Sequence, residues 1–120
     1  MSCLIEDIAM ENGEVLKCSG AIDFRNTPGF RSILQAKIEA HCPLLLLDMS
    51  QVEYIDSGGM GALVEYWREA HRFGGEFALV GLNERLSEIF HMVHLDEHLR
   101  IFSSWADADA FFQPAEMPSL

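Results

Sequence analysis

Residues 54–61 constrain the fold of this chain most, because they join a strand-like segment to a helical one through a glycine-bearing corner, Tyr-Ile-Asp-Ser-Gly-Gly-Met-Gly. Asp56 and Ser57 stand where the helical pattern starts, and either residue type can cap the free amide N–H groups of a first helical turn. One cap does not account for three glycines, each of which costs about 1 kcal/mol in a helix relative to alanine. The corner therefore predicts a surface that another molecule approaches.

The segments on either side of the corner predict a strand and a helix. Residues 44–47 form a continuous apolar run closed by Asp48, and this length fits a central parallel strand covered on both faces. After the corner, apolar residues recur at helical spacing until Gly74-Gly75 ends the helix. Those apolar residues are Met60, Leu63, Val64 and Trp67.

The N-terminal part of the chain predicts a β-hairpin. Leu4–Met10 and residues 15–18 have strand propensity, and the Asn12-Gly13 pair between them is the strongest short hairpin signal. Residues 19–26 are expected to be a loop.

A helix is predicted to follow that loop and to end before Pro43. Thr27 is its expected N-cap, with Pro28 at the first helical position. Its apolar face consists of Phe30, Ile33, Leu34 and Ile38.

The C-terminal part repeats the strand–helix pattern. Residues 77–80 predict a buried strand, and Asn83 is expected to cap a helix whose apolar face is Leu86, Ile89, Phe90 and Val93. Residues 99–102 predict a short strand, after which Ser103-Ser104 opens a helix carrying Trp105, Ala108, Phe111 and Phe112. Both tryptophans are expected in the core. The chain predicts one domain over residues 1–113 and a loose tail over residues 114–120.

The corner Asp56-Ser57-Gly58-Gly59-Met60-Gly61, with the apolar strand before it and the glycine pair after the helix, resembles the STAS domain of bacterial anti-sigma factor antagonists. The likeness covers nearly the whole chain. The usual corner in that family reads Asp-Ser-Ser/Thr-Gly-Leu-Gly, and the serine after the aspartate is phosphorylated by the partner anti-sigma factor, which is itself a kinase. The resemblance implies this role for Ser57.

An upstream element strengthens the resemblance. Gly20-Ala21-Ile22-Asp23 is similar to the family's Gly-Glu-Leu/Ile-Asp element, which implies that Asp23 lies near the phosphorylation corner. Two positions depart from the family pattern: Gly58 replaces the second serine or threonine, and Ala21 replaces a usual acidic residue. The first departure bears on kinase recognition, and the second removes a charge from the expected docking face.

The pattern and the resemblance agree on fold class. An N-terminal β-hairpin followed by repeated βα units predicts an α/β domain with a mostly parallel mixed sheet and about four helices. Partners of such sheets bind beyond the carboxyl ends of the strands, where the Ser57 corner and the Asp23 loop are both expected.

The resemblance implies a partner-switching protein without a catalytic residue or a cofactor. Unphosphorylated, it would bind an anti-sigma factor of the serine-kinase type, and phosphorylation of Ser57 would release it; a serine phosphatase is a further partner of such a cycle. The implied partner-binding residues are Asp23, Asp56, Ser57, Gly58, Gly59 and Met60. The alternative is a STAS scaffold or regulatory subunit with Ser57 unmodified, in a lipid-transport ATPase or a stress-signalling assembly, and the departures at Gly58 and Ala21 keep it open.

Composition excludes several other classes. A formal net charge of −11 at pH 7 argues against binding nucleic acid or anionic lipid. No run approaches the roughly 18–20 apolar residues of a membrane span, and the N-terminus lacks the pattern of a secretory signal, so a cytoplasmic location is expected. Cys3, Cys18 and Cys42 lack metal or redox spacing and are expected to be buried. Self-association stays open.

The sequence does not favour three other kinds of site. Ser57 lacks one of the two flanking glycines of a hydrolase elbow, since Ile55 stands two residues before it. The glycines of the corner match neither a dinucleotide fingerprint nor a phosphate-binding loop. His91, His94 and His98 would share a face only if one helix carried all three, and the family likeness ends that helix near Val93, so a metal site is not expected.

Overall fold

The computed structural model describes residues 4–10 and 13–112 and confirms the α/β architecture. The elements in chain order are β1 Leu4–Met10, β2 Gly13–Ile22, α1 Thr27–Glu39, β3 Leu44–Ile55, α2 Ser57–Phe73, β4 Glu76–Val80, α3 Glu84–Met92, β5 Arg100–Phe102 and α4 Trp105–Phe112. A single 3-10 turn, Leu95–Glu97, lies between α3 and β5.

The strands form a mixed sheet in the order β1-β2-β3-β4-β5. β1 and β2 pair antiparallel, with Ile5 opposite Cys18, which confirms the hairpin; its predicted turn at residues 11–12 lies outside the described residues. All other neighbours pair parallel, so β3 is central, as predicted. Because β2 and β3 are parallel, their carboxyl ends lie at the same edge of the sheet.

Both faces of the sheet are covered. The main core joins one face to α1, α2 and α3 through side chains such as Leu47, Phe30 and Leu63. On the other face a smaller cluster packs against α4 through Phe112, and it consists of Val15, Leu44, Leu46 and Ala78. The predicted apolar run at residues 44–47 therefore alternates between two cores.

Two strands extend beyond their predicted ends. The predicted loop over residues 19–26 is wrong at its start, because β2 continues to Ile22, with bulges in its pairing to β3. β3 does not close at Asp48 but continues to Ile55.

The buried carboxylate of Asp48 does not break β3 because it accepts three hydrogen bonds. The donors are the amide N of Ser50 at 3.0 Å, its hydroxyl at 2.6 Å and Nε1 of Trp105 at 3.1 Å. Burial raises the pKa of Asp48, but the bonds from Ser50 and Trp105 prevail and hold it below its usual value.

The structure confirms some of the predicted helix ends and corrects one. Asn83 caps α3, with its Oδ1 accepting from the amide N of Leu86 at 2.8 Å, and Gly74 ends α2 at φ 81°, a conformation that glycine adopts readily. The prediction that Thr27 caps α1 is wrong: Thr27 is the first helical residue, Asn26 precedes it, and the Thr27 hydroxyl donates to the carbonyl O of Asp23 at 2.8 Å.

Several side chains lie elsewhere than predicted. Trp105 and Val93 are exposed, whereas Trp67 is partly buried against the core. Tyr66, which was not predicted, is fully buried on α2, and Met60 is partly buried against the same core. Cys18 and Cys42 are buried, and Cys3 and the tail from Gln113 lie outside the described residues. Within residues 4–10 and 13–112, no helix has the length and apolar character that crossing a bilayer requires.

Candidate functional site

Asp56 builds the corner between β3 and α2. Its backbone is extended, at φ −95° and ψ −179°, and its Oδ1 accepts a hydrogen bond from the amide N of Gly59 at 2.9 Å. Its own amide N donates to the carbonyl O of Ile22, the last residue of β2, at 3.0 Å. Asp56 is therefore the N-cap of α2 and also ties the corner to the end of β2.

Ser57 is the first residue of α2 and is exposed. Since Asp56 supplies the cap, the helix does not require the hydroxyl of Ser57. Within the described part of the chain, that hydroxyl has no hydrogen-bond partner. Of the two candidates for capping, the structure uses one and leaves the other available at the surface.

The glycines of the corner differ in what surrounds them. A Cβ on Gly59 would lie 2.7 Å from Cγ1 of Ile55 and 2.9 Å from Cγ2 of Ile22, so the buried Gly59 is required for packing. A Cβ on Gly58 would meet Oδ1 of Asp56 at an ordinary 3.4 Å. The side chain missing from Gly58 therefore leaves open surface beside Ser57, whereas Gly59 supports the corner from below.

Asp23 follows β2 at the same edge of the sheet, as the resemblance implied. Thr27, the residue of α1 that follows the loop of Asp23, lies near the corner, since its Oγ1 would be 4.0 Å from a Cβ on Gly58. Asp23 itself is buried, and its carboxylate is bound by the guanidinium of Arg25 through Nη2 at 2.7 Å and Nε at 3.3 Å. These hydrogen bonds hold the pKa of Asp23 below its usual value and raise that of Arg25.

The loop after β2 is fixed by its own hydrogen bonds. The carbonyl O of Asp23 accepts from the amide N atoms of Asn26 and Thr27, both at 2.9 Å. Asn26 in turn accepts from the amide N of Asp23 at 3.0 Å and donates to the carbonyl O of Ala21 at 2.7 Å. This frame presents Phe24 at the surface of the loop, where it is 78% exposed.

The structure thus brings the sequence-predicted residues to one edge of the sheet, in different environments. Ser57 is exposed and Gly58 partly so, Asp56 and Met60 are partly buried, and Asp23 and Gly59 are buried. Sequence reasoning did not single out Phe24 and Arg25, although both follow Asp23 directly in the same loop.

Arg31 is a third residue that the sequence did not indicate. Its Nη2 lies 3.4 Å from the carbonyl O of Gly58, and its Nη1 forms an ion pair with Glu65 of α2. This contact depends on how α1 packs against α2, so no local pattern could have revealed it.

His91, His94 and His98 do not share a helix face. α3 ends at Met92, His94 has a positive φ of 64°, and the three rings have different neighbours. His91 pairs with Asp96, His94 pairs with Glu97, and His98 contacts the ring of Trp67. His91 has its pKa raised by the hydrogen bond to Asp96.

Comparison with known proteins points to one family. The family model for the STAS domain matches residues 8–108. The anti-sigma-B factor antagonist of Bacillus subtilis is 30% identical over 91 residues, which are 76% of this chain and 83% of that protein. A Thermotoga neapolitana protein named as an anti-sigma factor antagonist homolog is 36% identical over 64 residues, which are 53% of this chain. That alignment spans 57% of the Thermotoga protein.

Solved structures share the fold. The crystal structure of an anti-sigma factor antagonist from Mycobacterium paratuberculosis superposes with a TM-score of 0.81 at 23% identity, covering 89% of this chain and 91% of that one. The Bacillus cell fate determinant SpoIIAA in its phosphorylated form superposes with a TM-score of 0.69 at 16% identity, covering 89% of this chain and 96% of that one.

Proposed function

Because the chain belongs to the STAS domain family, we propose that it is an anti-sigma factor antagonist whose binding is controlled by phosphorylation of Ser57. Unmodified, it binds an anti-sigma factor of the serine-kinase type through the corner and the adjoining loop, and so frees the sigma factor. Phosphorylation of Ser57 releases the partner, and a serine phosphatase restores the binding form.

The observation that carries this proposal is the free hydroxyl of Ser57. It is exposed at the first position of α2, and the capping role that would otherwise engage it belongs to Asp56. The names of the curated relatives in Bacillus and Thermotoga support an anti-sigma factor as the partner. The phosphorylated SpoIIAA structure supports a fold that tolerates the modified state.

Phosphorylation changes the charge of the docking face more than the packing beneath it. A phosphoserine carries about −1.5 to −2 charges and three acceptor oxygens, whereas the unmodified hydroxyl is neutral. A loss of about 3 kcal/mol of complementarity weakens binding more than a hundredfold. Because the charge is added at the amino end of α2, the helix dipole opposes any local destabilisation.

In this cycle the chain is a substrate and a binding partner rather than a catalyst. The Ser57 oxygen forms a bond to the γ-phosphorus of ATP held by the kinase, the bond to the departing ADP breaks, and the hydroxyl proton passes to a base on the kinase. The residues of this chain that face the partner are Asp56, Ser57, Gly58 and Met60 on the corner and the Asp23 loop beside them. We place the protein in the cytoplasm, with its kinase.

The proposal is tested by incubating the protein with ATP and each serine-kinase anti-sigma factor encoded in the same genome, and then measuring intact mass. We expect the addition of one phosphoryl group, its loss in Ser57→Ala, and its retention in Ser87→Ala, which removes an exposed hydroxyl from α3. Binding of the same kinase is measured in parallel, and Ser57→Asp is expected to weaken it.

Two outcomes would contradict the proposal. No phosphoryl uptake with any of these kinases would favour the scaffold or regulatory-subunit alternative. Hydrolysis of an ester probe that is lost in Ser57→Ala would indicate an enzyme instead.

A further inference from the structure

An arginine from α1 reaches over the first turn of α2. Nη2 of Arg31 lies 3.4 Å from the carbonyl O of Gly58 and would lie 3.7 Å from a Cβ on Gly61. Ser57, Gly61 and Glu65 are spaced four residues apart on α2, so they follow one another along the same side of the helix. The guanidinium of Arg31 therefore lies against the side of α2 that carries Ser57, which stands one helical turn before Gly61.

The approach is open because the nearest positions of α2 have no side chain. Gly58 and Gly61 are partly exposed, and neither has a side chain that could stand between the guanidinium and Ser57. Since a Cβ at either position would make only ordinary contacts, these glycines are not required by packing, in contrast to Gly59. Without side chains at these two positions, the surface of α2 is open along this side, and the long side chain of Arg31 can change its conformation there.

Arg25 in the loop after β2 and Arg31 on α1 differ in how readily each can leave its carboxylate partner. Arg25 binds the carboxylate of Asp23, whose side chain is only 11% exposed, with two hydrogen bonds. Moving the guanidinium of Arg25 would leave the mostly buried carboxylate without its cation, since only the amide N of Arg25, at 3.0 Å from Oδ1, would still donate to it. Arg31 is paired with Glu65, whose side chain is 58% exposed, and such a surface pair contributes at most about 1 kcal/mol. Water can replace Arg31 at Glu65, but it cannot readily replace Arg25 at Asp23.

We propose that Arg31 is the residue that receives the phosphate of phosphorylated Ser57, exchanging Glu65 for the phosphate oxygens. This inference rests on the proposed function in one respect, that Ser57 is phosphorylated. The position of Arg31 is independent of that proposal. A dianionic phosphate accepts stronger and better-aligned hydrogen bonds from a guanidinium than a single exposed carboxylate does.

The exchange has a consequence for the docking face. Glu65 loses its partner when Arg31 turns to the phosphate, so modification adds a phosphate and also uncovers a carboxylate two turns along the same side of α2. A partner surface that fits the unmodified corner then meets negative charge at two places.

The experiment uses protein in which phosphoserine is incorporated at position 57 during translation, so that no kinase is needed. The second pKa of the phosphate, about 6 in an unperturbed phosphoserine, is measured by 31P NMR titration. We expect Arg31→Gln to raise it by about 0.5–1 unit, since a neighbouring cation lowers the pKa of an acid and an exposed site shows the small end of that effect. We expect Glu65→Gln to lower it, because Arg31 loses its competing partner.

Arg72→Gln is the matched control. It removes an arginine from another exposed ion pair, with Glu69, at the far end of α2, and it is expected to leave the phosphate pKa unchanged. Unfolding of every variant is followed by circular dichroism, and Glu65→Gln keeps the test informative if Arg31→Gln does not fold.

Equal phosphate pKa values in Arg31→Gln and Arg72→Gln would overturn the inference, as would a larger shift in Arg25→Gln. These outcomes leave the proposed function untouched, because they do not concern the kinase. Conversely, absence of kinase-dependent phosphorylation together with the Arg31-dependent shift would count against the proposed function alone.

Discussion

Asp23 lies at the same edge of the sheet as Ser57, with its carboxylate paired to the guanidinium of Arg25. The resemblance of its sequence element to that of the STAS family predicted its position beside Ser57, but not its pairing with Arg25. Because that pair is internal to the loop, the carboxylate of Asp23 orders the loop more than it repels a phosphate. In the proposed phosphorylated state, we therefore expect repulsion from Asp56 and from surface carboxylates such as Glu65 rather than from Asp23.

The Asp23–Arg25 pair predicts a specific dependence of stability on pH. The pKa of Asp23 is lower in the folded chain than its ordinary value of 3.8, so the pair stabilises the fold fully above about pH 4 and loses this effect as the pH falls through the folded pKa. We expect Arg25→Gln to lower the free energy of unfolding at pH 7, with the difference from wild type shrinking below about pH 4. Denaturant titrations at several pH values measure this. Arg72→Gln serves as the control, and a difference for Arg25→Gln that stays constant down to pH 2 would contradict the account.

At the scale of elements, periodicity and turn chemistry predicted the order of strands and helices but not all of their ends. The apolar run predicted as β3 was closed by Asp48, but the strand continues to Ile55 because Ser50 and Trp105 supply the donors that the buried carboxylate needs. Trp105 comes from α4, far along the chain, and a local reading could not have included it.

The candidate site likewise has local features that the sequence predicted and tertiary contacts that it did not. The Ser57 corner and the helix that follows it are local features, and the sequence predicted both. The choice of Asp56 rather than Ser57 as cap depends on the backbone angles of the corner, and the approach of Arg31 depends on packing between two helices. Neither the choice of cap nor the approach of Arg31 can be inferred from residue spacing in the sequence.

Adjacent glycines in the first turn of α2 predict opposite effects on stability. In Gly59→Ala the new methyl group would meet Ile55 and Ile22 at 2.7 and 2.9 Å, and overpacking of this kind costs about 1–3 kcal/mol. In Gly58→Ala the nearest atom is 3.4 Å away, so the variant is expected to be as stable as wild type or more stable by up to about 1 kcal/mol, through reduced backbone entropy of the unfolded chain. Chemical denaturation of both variants measures the difference, and equal stabilities would show that Gly59 is not required for packing.

For the whole molecule, the exposed hydroxyl of Ser57 lies apart from the apolar cores. The corner lies at the carboxyl edge of a sheet whose two faces are covered by separate apolar clusters, and the Ser57 hydroxyl takes part in neither. The corner is held from below by Gly59 and from the side by the bond between Asp56 and Ile22. We therefore expect a change of charge at Ser57 to alter what the surface binds without loosening the packing beneath it.

This independence predicts that phosphorylation changes affinity but not folding. Protein with phosphoserine at position 57 is expected to unfold in one transition, with a free energy within about 1 kcal/mol of the unmodified chain, because the amino end of α2 tolerates an anion. Its affinity for the kinase-type partner is expected to fall more than a hundredfold, the equivalent of about 3 kcal/mol. Denaturant unfolding and calorimetric binding on the same two samples separate the quantities. A lower denaturant m-value or a split transition on phosphorylation would mean that the switch acts through the fold, whereas unchanged affinity would mean that the corner does not contact the partner.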